Sequence, residues 1–188
     1  MEGKPRVEYF NTINVIKAIL YFGEHTKCKL YRTRLQLMLF YYEKEYYQCY
    51  GKKILNGVFL YNGYIPELKG LDYLLEKLDS NEIIKIKESD YGKYINTLVC
   101  FEESEYDEDE LEILTKILNQ FDDMTTKQII DRYLEPELKH GEIKTITETF
   151  ITYGGIEQLI KSYKLMLTID KLLQNIQQLV KLCIMLER

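Results

Sequence analysis

The chain has 188 residues and 22.5 kDa, a size that suits one ordinary domain with room for an appendage. Apolar residues make up 46% and charged residues 29%, close to globular averages, so the chain can bury a core and is not composed like a disordered polypeptide. The net charge of −5 is unevenly spread: residues 1–60 carry +5, residues 61–150 carry −12 and residues 151–188 carry +2. An acidic middle argues against direct nucleic-acid binding there, because phosphate contacts need cations.

No run of about 18 apolar residues occurs, so no spanning helix is expected. Near the N-terminus Glu8, Asn11 and Asn14 interrupt the apolar patch too early for a signal peptide. The four cysteines, Cys28, Cys49, Cys100 and Cys183, are scattered without a CxxC pair. They are read as free, buried thiols of a cytoplasmic protein.

Taken in chain order, FNTINVIKAILYF (residues 10–22) has helical spacing, with Asn11 or Thr12 as its cap and Gly23 as its end. The next helix is expected over Thr33–Tyr50, with Gly51 as its C-terminal stop. Leu35, Met38, Leu39, Tyr42, Tyr46 and Cys49 share one face of it, and Leu37, Phe40 and Tyr41 widen that face around the first half. A helix so apolar on all sides belongs at the centre of the fold. ILNGVFLY (54–61) suggests a short extended piece before the turn formers of NGYIP, and LDYLLEKL (71–78) a short amphipathic helix. EIIKIKE (82–88) and the stretch YINTLVCFE (94–102) flank Ser-Asp-Tyr-Gly and predict a small antiparallel strand pair.

Eight of the twelve residues from 101 to 112 are acidic: Glu102, Glu103, Glu105, Asp107, Glu108, Asp109, Glu110 and Glu112. Asp107 with Glu110 has the spacing of a capping box, and carboxylates favour a helix N-terminus. The same cluster leaves open an acidic surface that mimics nucleic acid or binds cations, although its Asp-x-Asp spacing lacks the glycine and ligand positions of a calcium loop. A buried stripe of Leu111, Leu114, Ile117 or Leu118, and Phe121 should follow. MTTKQIIDRYLEPELK (124–139) predicts a helix capped by Thr125 or Thr126 and interrupted or kinked by Pro136. Gly154-Gly155 marks a boundary between a domain over 1–150 and an extension over 151–188. Residues 156–188 read as one long amphipathic helix with two heptads, able to dock on the core or to pair chains through 156–185. The expected class is therefore mainly α (α+β).

Nothing in the pattern supports catalysis. The two histidines, His25 and His140, lie near no cluster, and phosphate-loop, nucleophile-elbow and zinc motifs are absent from the sequence. The expectation is a non-enzyme without cofactor or metal.

The run from Thr33 through Arg34, Leu35, Gln36 and Leu37 to Tyr42 resembles the LQKLLYY helix of the SocA-like, or Panacea, antitoxin domain. Tyr50-Gly51, the piece ILNGVF and Gly63-Tyr64-Ile65-Pro66 stand where that family has Tyr-Gly, an extended segment and Gly-Pro-Val. Tyr106 to Leu111, Phe121 and Thr125-Thr126 are similar to its later helices, so the likeness spans roughly residues 10–150. Leu37 replaces the family's lysine, Tyr64 replaces its proline, and His140 is a weak counterpart of its late histidine. The resemblance implies a mainly helical protein that binds other proteins, as an antitoxin neutralising a toxin or an adaptor delivering one to a protease, often in phages and prophages. The partner surface expected from it and from the tyrosine-rich helix end comprises Tyr46, Tyr47, Tyr50, Asn62, Tyr64 and Pro66. The alternative is a phage inhibitor of a host defence system, such as a CRISPR nuclease, acting through the acidic surface.

Overall fold

The computed structural model describes residues 10–99 and 103–140. Cys100, Glu102, Cys183, the Gly154-Gly155 boundary and the helix expected over 156–188 lie outside the described residues. Within them the elements are α1 (Thr12–His25), β1 (Leu30–Tyr31), α2 (Arg32–Tyr50), β2 (Phe59–Tyr61), β3 (Pro66–Leu68) and α3 (Leu71–Ser80). Then follow β4 (Ile84–Ser89), β5 (Gly92–Thr97), a short 3-10 turn, α4 (Glu108–Phe121), α5 (Thr126–Ile129) and, after one π-helical turn, α6 (Glu135–His140). The class is mainly helical with small antiparallel sheets.

α2 is the centre. Every residue from Arg34 to Glu43 is buried, as its all-round apolar first half predicts. α4 crosses it antiparallel: Arg34 reaches the carbonyls of Phe121 and Met124, Glu45 pairs with Lys116, and Tyr50 meets Glu112. α1 runs parallel to α4, joined by Lys17–Glu110 at 3.0 Å, Tyr21–Thr115 at 2.8 Å and Thr26–Asp122 at 2.8 Å. Gly23 does not end α1, which continues to His25. Its role is close approach: a Cβ there would fall 2.3 Å from Thr97 Cγ2, so the bare backbone lets the helix lie on β5.

The strands form two sheets rather than one pair. β4 and β5 make the expected hairpin, closed through Asp90 and Tyr91, but β5 stops at Thr97 instead of continuing toward 102. Leu30–Tyr31 adds a third strand, giving the order β1-β5-β4. On the β4 edge the amide of Ile86 is taken by the Asp79 carboxylate of α3 at 2.9 Å, a contact that also holds the pKa of Asp79 down. That carboxylate occupies one outward-facing donor that would otherwise invite another strand. The extended piece expected over 54–61 is strand only from Phe59, because Asn56 has φ +50° and the Leu55 amide turns to Glu43. It pairs with β3, whose Leu68 amide is held by Gln36 of α2 at 2.8 Å.

The capping box Asp107–Glu110 and the one at Thr125–Gln128 both form. Pro136 does not break the last helix. It follows a π turn over Ile130–Leu134, in which the Glu135 amide bonds to Ile130 five residues back. Pro136 has no N–H for the Arg132 carbonyl and its ring needs room there, which the wider turn provides. Cys28 and Cys49 are free, as expected, but exposed rather than buried. Cys49 sits in the last turn of α2, on its exposed face.

Candidate functional site

The tyrosine-rich end of α2 is less accessible than its composition suggests. Tyr41 and Tyr42 are core residues whose hydroxyls burial keeps protonated, far above the usual tyrosine range. Tyr46 is also buried, at 3% exposure, packed between Tyr42 and Tyr50, so it is removed from the expected partner surface. Tyr50 is half-buried and donates to Glu112 at 3.3 Å. Tyr47 alone stands clearly free, at 43% exposure.

The second part of the expected surface lies on the β2–β3 hairpin. Asn62 is exposed, but its side-chain oxygen accepts the amides of Tyr64 at 2.8 Å and Ile65 at 2.9 Å, which shapes the turn. Pro66 is buried under the hairpin and leaves the surface as well. Tyr64 projects, at 57% exposure. This hairpin is anchored near Arg32 and Gln36, through Glu67 at 3.3 Å and the Leu68 amide. Gln36 and Tyr47 are separated by roughly 16 Å of helix. The two halves of the expected surface therefore sit at opposite ends of α2 and do not form one site.

Tyr64 instead joins residues that the sequence reading passed over. It lines a groove of about 540 Å³ together with Tyr91, Tyr31, Lys29 and Lys127. Thr33 and Arg34, from the first turn of α2, line it too, as do Met124, Thr125 and Thr126 from the turn into α5. Tyr91 occupies the tip of the β4–β5 hairpin at 88% exposure. Turn positions usually take glycine, asparagine or aspartate, so an aromatic in Ser-Asp-Tyr-Gly was the one signal available beforehand. Tyr31 is steadied by its hydroxyl contact to Ser89 at 3.2 Å.

Arg34 makes the groove rigid. It is 3% exposed and donates to the carbonyls of Met124 and Phe121 at 2.7 Å each and of Asp122 at 3.0 Å. The Phe121 carbonyl also accepts the Met124 amide at 2.9 Å, so Arg34 supplements the turn that ends α4, and the guanidinium offsets the negative end of that helix dipole. The Asp122 carboxylate accepts from the hydroxyl of Thr26 and the amide of Lys27, tying the loop after α1 to the same point. Asp123, on the groove wall, pairs with Lys27 at 3.3 Å, and that hydrogen bond raises the lysine pKa.

The acidic face is partly consumed by structure. Glu110 is buried at 3% exposure, bonded to Lys17 and to the Asp107 amide. Glu103, Glu105, Asp107, Glu108 and Glu112 are exposed, and Asp109 is half-exposed. His25 stacks on Tyr21 at 4.3 Å and bonds to the Tyr21 carbonyl, so its ring is engaged in the fold. Among the described residues no group of three or more histidine, cysteine or carboxylate side chains is placed to hold a metal ion. No helix there is long and apolar enough to cross a membrane. Comparison of the chain with protein-family models, curated proteins and solved structures gives no match.

Proposed function

We propose that the chain is a non-catalytic protein-binding module, an antitoxin-like neutraliser or protease adaptor of a partner protein in the cytoplasm. The groove beside the N-terminal end of α2 is its contact surface. One observation carries this reading: Tyr64 and Tyr91, on the tips of two separate hairpins, stand 57% and 88% exposed over the same groove. Neither side chain contributes to the core. Tyrosine gives a large contact area at small entropic cost, with a hydroxyl for a polar partner, and is over-represented among residues that dominate binding energy. The resemblance to SocA-like antitoxins supplies the class of partner.

The test is growth rescue. The chain is co-expressed with the toxic product of a neighbouring gene, beside its Tyr64→Ser/Tyr91→Ser variant. Wild type is expected to restore growth and to co-purify stoichiometrically with that product. The double variant should lose both while its melting temperature stays within a few degrees, since surface changes usually shift stability by less than about 0.5 kcal/mol. Rescue that ignores both tyrosines would overturn the assignment of the surface. The alternative, an acidic inhibitor of a defence nuclease, has weaker support. Glu110 is committed to Lys17, and Asp107 to the cap of α4.

A further inference from the structure

We infer that the groove receives a short acidic segment of the partner, carrying at least one aliphatic or aromatic side chain between its carboxylates. The inference rests on the protein-binding reading and deepens it. The chain as a whole is acidic, at −5, yet the groove is not. Lys29 and Lys127 are exposed on its lining, and among the described residues neither forms an ion pair with a carboxylate. The Lys29 ammonium lies over the face of Tyr94 at 4.6 Å, a cation–π contact that leaves it without a carboxylate partner among the described residues. The only carboxylate on the lining, Asp123, is bound to Lys27.

The base of the groove is favourable for the same reason. The carbonyls ending α4 would repel a carboxylate, but Arg34 covers three of them from within. The groove then offers two lysines with no carboxylate partner among the described residues, lined alongside by Thr33, Thr126, Tyr31, Tyr64 and Tyr91. Cations at the sides and aromatic faces at the hairpin tips match carboxylates alternating with apolar groups. A nucleic-acid strand suits the groove less, because two lysines neutralise few phosphates.

The test uses the full chain and fluorescence anisotropy. The probes are a labelled octapeptide alternating aspartate with leucine and tyrosine, the same peptide with lysine for every aspartate, and labelled oligothymidylate. Wild type is expected to bind the acidic peptide at least about tenfold more tightly than the basic one, and more weakly as salt rises. Lys29→Glu/Lys127→Glu should abolish or reverse that preference, and Tyr64→Ser/Tyr91→Ser should weaken both peptides. All four positions are exposed, so melting curves of the variants should overlay that of wild type. Absence of preference, preference that survives the charge reversal, tighter binding of the oligonucleotide, or binding of neither peptide would each overturn the inference. Growth rescue separates this from the broader reading. If Lys29→Glu/Lys127→Glu rescues fully while Tyr64→Ser/Tyr91→Ser does not, the acidic segment is wrong and the protein-binding surface stands. If neither variant changes rescue, the surface itself is wrong.

Discussion

Two buried charged side chains of α2 do more for the fold than any exposed one. Arg34 serves the end of α4: without it the Met124 carbonyl loses its donor, the Asp122 carbonyl keeps only a thiol contact from Cys28 and the Phe121 carbonyl only the Met124 amide. Arg34→Met should therefore cost about 2–4 kcal/mol in urea unfolding, and Arg34→Lys should recover only part, since an ammonium cannot span carbonyls on both sides of a planar fork. Glu43 is the counterpart on the other side of the helix. At 1% exposure it accepts the amides of Leu55 at 2.7 Å and Gly57 at 3.4 Å, shaping the loop into β2. Those amides and Lys53 favour its charged form, but burial outweighs them and the pKa lies above its ordinary value of 4.5. The folded state then holds this proton more tightly than the unfolded chain does. Its contribution is most favourable below pH 4.5 and is lost as pH rises through the folded pKa. Unfolding free energies measured across that window should fall with pH in wild type relative to Glu43→Gln, which has no charge to bury. Parallel curves for the two proteins would refute the assignment.

Among the elements, α2 was the most legible, because its apolar run, its length and Gly51 all point to the same helix. Gly51 has φ +66°, its amide closes on Tyr47 at 2.8 Å, and a Cβ there would meet nothing within 4 Å. The cost of Gly51→Ala is thus purely conformational, about 1 kcal/mol, with Gly51→Asn milder; chemical denaturation of the two variants checks the order. Both capping boxes were equally readable, since each is a local pattern of four residues. Local pattern does not reveal which neighbour arrives. Gly23 looked like a stop, because the sequence does not show that Thr97 packs against it. The two residues of β1 are too short for any periodicity and exist as strand only because β5 pairs with them. Tyr46 and Tyr50 looked alike in sequence, yet Tyr46 is core, packed between Tyr42 and Tyr50, and Tyr50 is rim. The groove was illegible for the same reason. Its lining comes from the loop before α2, two hairpin tips and the turn before α5, brought together by Arg34 and Asp122.

At the scale of the molecule, the question is how recognition divides between this groove and the last forty residues. A continuous set of buried side chains runs from Phe10 through α1, α2, α3, the sheet and α4 to Leu134, with Leu138 packed against it. Both helices flanking α2 and both hairpins already bury their apolar faces within that set, which is what independent folding requires. A chain ending at residue 150 is therefore expected to unfold in urea in one cooperative transition, with the same dependence on Arg34 and Glu43 as the full chain. It should also keep the preference of the groove for the acidic peptide, because every lining residue is retained. Growth rescue by this shorter chain then separates two designs. If rescue persists, the groove supplies the essential contacts and residues 151–188 serve something else. If rescue fails while folding and peptide binding survive, the groove is one half of a two-part grip. The amphipathic pattern over 156–188 supplies the other half, by joining the partner or a second copy of this chain, and sedimentation of the two chains at matched concentration tells those apart. Loss of cooperative folding on truncation would count against both designs and would make residues 151–188 part of the core.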